Sequence, residues 1–157
     1  MAADDLPRLL KSVNQLFFDN TAENQYATLF FADYSDATRR LRFANCGHCP
    51  PFLIHADGTS EPLMPTAMVL GLFEDWQTTT CDRQLQPGDT LVIYTDGVIE
   101  ATNVREEEFG TERLLGTIQS HKSLAAPALV TAVHAAVQQF AHGIPPDNLT
   151  VVIARVR

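Results

Sequence analysis

The sequence predicts an α+β fold with a mostly antiparallel sheet. The first hundred residues hold short strand-like runs separated by hairpin-length turn signals. Two segments with helical periodicity follow, over residues 111–121 and 125–140, and a final apolar strand spans 149–156. This order of hairpin-connected strands, then two helices, then a strand is the α+β pattern.

The first element reads as a helix, because Leu6, Leu9, Leu10, Val13, Leu16 and Phe17 recur at helical spacing. Asp4 or Asp5 suits its cap and Pro7 its first turn. Residues 26–35 read as a strand and 38–45 as its hairpin partner, with Asp36-Ala37 in the turn. Arg40, Arg42 and Ala44 alternate with Leu41, Phe43 and Asn45, the period of a half-buried strand. Residues 51–55 form a third strand, closed by the Asp57-Gly58 turn signal. Residues 61–75 read as irregular, interrupted by Pro62, Pro65 and Gly71. Residues 76–83, polar and threonine-rich, read as an edge strand. Pro87-Gly88-Asp89 turns the chain into a strand over 90–95, with a short helix after Gly97. Leu114, Leu115 and Ile118 give the first later helix its face; Leu129, Val133, Ala136, Val137 and Phe140 give the second its stripe.

At 157 residues, with 45% apolar and 19% charged residues, the chain suits one globular domain with a real core. A net charge of −8 argues against a nucleic-acid binder and accords with solubility. No apolar run approaches a membrane span, and Met1-Ala2-Ala3-Asp4-Asp5 lacks the basic and apolar regions of a signal peptide, so a cytoplasmic location is the default. Three cysteines cannot all pair within one chain, so no disulfide framework is expected.

Two segments carry the chemistry. Asp96-Gly97 ends the strand Leu91-Val92-Ile93-Tyr94, and Asp147-Asn148-Leu149-Thr150 precedes Val151-Val152-Ile153. Each reads in two ways. Asp-Gly after a strand is a common turn, and Asp147 can simply turn or cap the chain. Alternatively both are carboxylates at strand ends, of the kind that hold Mg²⁺ or Mn²⁺ through oxygen ligands. Gly97 would then admit close approach of the ion or its waters, and Glu100, one helical turn on, would be an outer ligand or a solvated side chain.

Cys46-Gly47-His48-Cys49 has the spacing of a thiol–disulfide oxidoreductase. That chemistry needs the first cysteine at a helix N-terminus, whereas Pro50-Pro51 and a strand follow here. Zinc held by Cys46, His48, Cys49 and Cys81 lacks the second compact ligand pair that structural sites use. The simpler reading makes the cysteines small fillers at a strand end. His55, His121, His134 and His142 show no partner pattern and read as structural or solvated.

Taken in order, these segments resemble the SpoIIE or RsbU branch of the metal-dependent PP2C-like (PPM) serine/threonine phosphatases. The resemblance runs from Asn24–Ala32 through Ala44-Asn45-Cys46-Gly47-His48-Cys49-Pro50-Pro51, which is similar to an Asn-Ala-Gly-His-x-Pro-Pro turn. It continues through Leu70-Gly71-Leu72, Leu85-Gln86-Pro87-Gly88-Asp89, Tyr94-Thr95-Asp96-Gly97-Val98-Ile99-Glu100-Ala101, Phe109–Leu115 and Asp147-Asn148-Leu149-Thr150. It implies an α-β-β-α sandwich of two antiparallel sheets with a pair of Mn²⁺ or Mg²⁺ ions at one end. Asp96 and Asp147 would be metal ligands, and Glu100 matches a position near a weaker metal. His48 lies on a loop facing that region in the family and receives no catalytic role. The implied reaction is hydrolysis by a metal-activated water, with a phosphorylated anti-sigma-factor antagonist as substrate.

The chain departs from the family pattern in its first half. The Asp-Gly pair and the Asp-x-x-Gly-His-Gly stretch of the family do not occur before Tyr26. Residues 1–157 therefore read as a partial PP2C-like domain, truncated at its N-terminal side. Such a fragment is expected to bind metal weakly and turn over little. Its uncovered sheet edge is expected to favour a homodimer or strand exchange. The helix over residues 6–18 matches a regulatory pair that links family members to upstream sensors. A non-catalytic PP2C-like binding module is the alternative of a different class, and a thiol oxidoreductase through Cys46 and Cys49 the remaining one.

Overall fold

The computed structural model describes residues 5–22, 24–142 and 148–157. In chain order the elements are α1 (Asp5–Asn20), β1 (Leu29–Ser35), β2 (Arg40–Cys46), β3 (Phe52–Ile54), β4 (Ser60–Pro62), β5 (Cys81–Gln84), β6 (Thr90–Tyr94), α2 (Asp96–Ile99), α3 (Gly110–Ser120), α4 (Ala126–Phe140) and β7 (Val151–Arg155). They divide between two compact units: residues up to Pro50 with Leu63–Gln86, and Pro51–Pro62 with Pro87–Arg157. Every strand pair is antiparallel. Among the described residues no helix is long and apolar enough to cross a membrane.

The first unit holds a three-stranded sheet ordered β1-β2-β5. Leu6 and Leu10 of α1 are buried with Ala44, Cys46, Leu70 and Trp76, and Val13, Leu29, Phe31 and Ala67 pack against that cluster. The helix buries less of its apolar stripe than its spacing predicts: Leu9 and Leu16 are exposed, and Asn14 faces inward instead. Asn14 is buried because the loop below needs its amide. Its Nδ2 donates to the Phe73 carbonyl at 3.0 Å and its Oδ1 accepts the Gly71 N–H at 2.9 Å. The cap expected from Asp4 lies outside the described residues, and Asp5 is the first helical residue.

The predicted hairpin forms, with Leu29 opposite Cys46 and Ser35 opposite Arg40. The expected alternation holds at Leu41 and Phe43 but stops at Ala44, Asn45 and Cys46, which are all buried. The edge strand is shorter than residues 76–83 suggest. β5 begins only at Cys81, where Arg40 and Arg42 of β2 meet Asp82 across the ladder. The bidentate Arg40 contact, at 2.9 and 2.7 Å, holds the Asp82 carboxyl below the usual range. Trp76 lies in the long loop before β5, not in a strand, and is 2% exposed.

The second unit holds a four-stranded sheet ordered β4-β3-β6-β7. β4 is an element the sequence did not announce. Its three residues pair with β3 through the Asp57-Gly58 turn, and Pro62 sits on the outer strand, where a missing N–H is tolerated. Leu129, Val133 and Val137 form the buried stripe of α4, which packs on β7 and α3. Phe140 meets Phe109 edge-to-face at 5.5 Å, and the Arg113 guanidinium lies 4.7 Å from the Phe140 ring centre.

Candidate metal centre

β6 is buried on alternate residues, Thr90, Val92 and Tyr94, as a strand with one covered face should be. Tyr94 stacks on Phe52 of β3 with ring centres 6.0 Å apart. The chain then turns at once into α2. Thr95 is still extended at φ −87° and ψ 161°, and Asp96 opens the helix. The Asp96 carboxylate is exposed, and its Oδ1 accepts the Gly97 N–H at 2.9 Å. Gly97 has ordinary helical backbone, not positive φ. Glu100 caps the C-terminus of α2, with its N–H on the Asp96 carbonyl at 2.9 Å, so it stands one turn beyond Asp96, exposed.

The second segment is joined to the first by Thr95. Its hydroxyl donates to the Asn148 carbonyl at 2.9 Å and accepts the Thr150 N–H at 3.1 Å. Its own N–H donates to the Thr150 carbonyl at 3.1 Å, which continues the β6–β7 ladder one residue past Tyr94 opposite Val151. Asn148 takes the left-handed conformation, φ 53°, that asparagine tolerates in turns. Asp147 itself lies outside the described residues. Asn148, its neighbour in the chain, is thus bound to the residue that precedes Asp96. Sequence reasoning passed over Thr95. Its only signal was a hydroxyl side chain between a strand end and an aspartate.

Asp96 presents an exposed carboxylate whose Oδ1 accepts the Gly97 N–H and whose other oxygen makes no hydrogen bond among the described residues, a donor of the type a hard cation takes. The described residues do not make a binuclear centre, because among them no three His, Cys, Asp or Glu side chains converge. The zinc reading of Cys46, His48, Cys49 and Cys81 fails on the same ground. The thiol reading fails on local structure. Cys46 is the last residue of a strand, fully buried, and burial pushes its thiol up to about 11, the opposite of an activated thiolate. His48 belongs to the first unit, with Nδ1 3.3 Å from the Thr28 hydroxyl. His55 is less isolated than its sequence context suggests, lying 3.5 Å from Asp89 and 3.6 Å from Glu61.

The family model for stage II sporulation protein E (SpoIIE) matches residues 1–157. The phosphoserine phosphatase RsbU of Bacillus subtilis is 27% identical over 164 residues, covering 98% of this chain and 48% of the relative. Protein IcfG of Synechocystis sp. is 28% identical over 127 residues, covering 81% of this chain and 20% of the relative. The chain thus spans about half or less of the curated relatives it matches. Among solved structures, the SiaA-PP2C domain of Pseudomonas aeruginosa superposes with a TM-score of 0.82 at 18% identity, covering 95% of this chain and 60% of that one. The PP2C phosphatase domain of SpoIIE from Bacillus subtilis superposes with a TM-score of 0.78 at 20% identity, covering 97% and 44%. A fold shared with PP2C domains and a family match from the first residue to the last lead to one conclusion: the chain belongs to the SpoIIE family.

Proposed function

We propose that residues 1–157 supply part of a PP2C-like, metal-dependent serine/threonine phosphatase domain that acts in bacterial sigma-factor regulation. In this reading Asp96 and Asp147 are ligands to Mn²⁺ or Mg²⁺, with Gly97 and Glu100 beside them, and a bound ion would acidify the water that hydrolyses a phosphoserine or phosphothreonine. The substrate class is a phosphorylated anti-sigma-factor antagonist. The observation that carries the reading is the Thr95 hydroxyl, which ties the backbone of Asn148 and Thr150 to the residue before Asp96. Two relatives, RsbU and RsbP of Bacillus subtilis, are named phosphoserine phosphatases, and one solved relative, RsbX, is in complex with magnesium.

This chain by itself is expected to turn over little, since Asp96 and Asp147 fill only part of a two-ion ligand set. Addition of Mn²⁺ should broaden the amide resonances of Asp96–Glu100 and Asn148–Thr150 together. Asp96→Asn should weaken that binding by about tenfold or more, roughly 1.4 kcal/mol. Thr95→Val should keep the broadening near Asp96 and reduce it at Asn148–Thr150. Broadening centred on residues far from both segments would sink the metal assignment. Robust Mn²⁺-dependent hydrolysis of a phosphoserine peptide would refute the low activity and leave the assignment standing.

A non-catalytic binding module is the second reading, favoured by the absence of three converging ligands among the described residues. Association through the outer edge of β1 belongs to either reading, because that strand ends its sheet. Light scattering at high concentration should show a dimer; a monomer throughout would count against it.

A further inference from the structure

The second unit contains a cavity of about 340 Å³ that no step of the phosphatase reading uses. Its apolar surface comes mainly from Ile54 and Ile118, both buried, and its polar surface from Thr90, Gln119, Lys122, Ser123, Arg155 and His55, the last already facing the Asp89 and Glu61 carboxylates at 3.5 and 3.6 Å. That volume lies at the lower end of small-molecule sites, which combine an apolar lining with a few placed polar groups.

The cavity lies at the far end of the sheet from Asp96. Thr90 opens β6 and pairs with Arg155, whereas Tyr94 at the other end pairs with Val151. Five residues of extended chain lie between Thr90 and Asp96, a span of roughly 20 Å at the usual rise per residue. Ligands here would not reach the proposed metal position.

The cationic side of the cavity is held in place. The Arg155 Nε donates to the Thr90 hydroxyl at 3.0 Å and its Nη1 donates to the Leu124 carbonyl at 2.7 Å. These bonds fix the plane of the guanidinium and, among the described residues, leave Nη2 without an acceptor. A guanidinium already oriented loses little freedom when it takes an oxyanion. Lys122 is exposed at the rim, and among the described residues its ammonium has no carboxylate partner. Gln119 spans the rim to the Gly58 carbonyl at 3.3 Å. Gly88 keeps the opposite wall low: at φ +95° a Cβ there would approach the Ala56 Cβ to 3.1 Å. Two cations on one cavity are notable in a chain of net charge −8, whose general field repels anions.

We propose that this cavity binds a small organic oxyanion, its carboxylate or phosphate between Arg155 and Lys122 and its apolar body on Ile54 and Ile118. The site is independent of the phosphatase reading and is tested without turnover. The whole chain, labelled with ¹⁵N, is titrated with benzoate, phenyl phosphate and inorganic phosphate in separate arms. Saturable shifts at the amides of Gln119, Lys122, Ser123 and Arg155 are expected with one or both aryl anions. The better of the two identifies the headgroup. Inorganic phosphate should bind at least tenfold more weakly, because it leaves the two isoleucines uncovered. Lys122→Glu, an exposed change that spares the core, should weaken the aryl anion by about tenfold or more. Arg155→Lys, which keeps charge but not the fork, should weaken it too. Shifts that never saturate, equal binding of inorganic phosphate, or unchanged affinity in Lys122→Glu would overturn the proposal.

Discussion

Trp76→Ala will destabilise the first unit by about 3–5 kcal/mol, the usual range for deleting a buried aromatic side chain. Trp76 is 2% exposed and packs among Leu6, Leu10, Ala44, Cys46 and Leu70. Alanine leaves most of an indole's volume empty, in a core drawn from α1, β2 and one loop and backed by Leu29 and Phe31 of β1. It also removes the Nε1 donor shared by the Met68 and Val69 carbonyls, at 3.0 and 3.1 Å. Those bonds and the Ala27–Leu70 bridge hold a loop that has no strand of its own between Leu63 and Thr80. Domains are stable by only about 5–15 kcal/mol, so the loss is a large share of the total. Trp76→Phe separates the two contributions: it restores most of the packing and should cost about 1–2 kcal/mol for the lost donor and the imperfect fill. Trp76 is the only tryptophan in the chain, so urea unfolding is best followed by circular dichroism and by amide exchange across the first unit. A loss below about 1 kcal/mol for the alanine variant would contradict the core described here.

The position of Trp76 also shows where the sequence stops being informative. A tryptophan ahead of Gln77-Thr78-Thr79-Thr80 reads as the start of a β-rich edge, since threonine and aromatic residues favour strands. Tertiary context decides otherwise. The indole is drawn into the core, only Cys81–Gln84 remain to pair with β2, and isolated bridges replace a continuous strand. The two later helices were legible to within a residue at each end, because their apolar positions sit on rigid periodicity. α1 was legible as a helix but not in its facing. Its spacing gives Leu9 and Leu16 the same weight as Leu6 and Leu10, and only the tertiary demand of Gly71 and Phe73 turns Asn14 inward.

The candidate site divides in the same way. The exposed position of Asp96 past the end of β6 was legible, because only Thr95 separates it from an apolar strand. The joining of that end to Asn148–Thr150 was legible only through resemblance. No local pattern tells a distant segment to pair with β6, and the hydroxyl that fastens it belongs to Thr95, an ordinary strand-end residue. His55, Glu61 and Asp89 were not legible as a group, since they come from three segments that meet only when β3, β4 and β6 align.

Asn45→Ala will cost about 2–6 kcal/mol, because it strands one buried and one part-buried backbone group at about 1–3 kcal/mol each. Asn45 is fully buried at the end of β2. Its Nδ2 donates to the Leu63 carbonyl at 3.0 Å and its Oδ1 accepts the His48 N–H at 2.8 Å. Its backbone serves the same loop, with its carbonyl accepting the N–H groups of Thr66 and Ala67. The side chain therefore closes the Cys46-Gly47-His48-Cys49 turn while the main chain anchors the segment beside it. Gly47 leaves that turn no slack, since at φ +72° a Cβ there would meet Val69 Cγ1 at 2.6 Å. Asn45→Asp provides a check with a sign. The carboxylate still accepts from His48 but cannot donate to Leu63, and burial raises its pKa in the folded state above the unfolded value of about 3.9. A group raised in this way favours folding below its unfolded pKa and loses that contribution as pH rises through the folded pKa. Asn45→Asp should therefore lie closest to the parent chain in acid and fall behind it toward neutral pH, whereas the deficit of Asn45→Ala should stay flat. Parallel pH–stability curves for the two variants would mean that the amide is not the clasp of this turn.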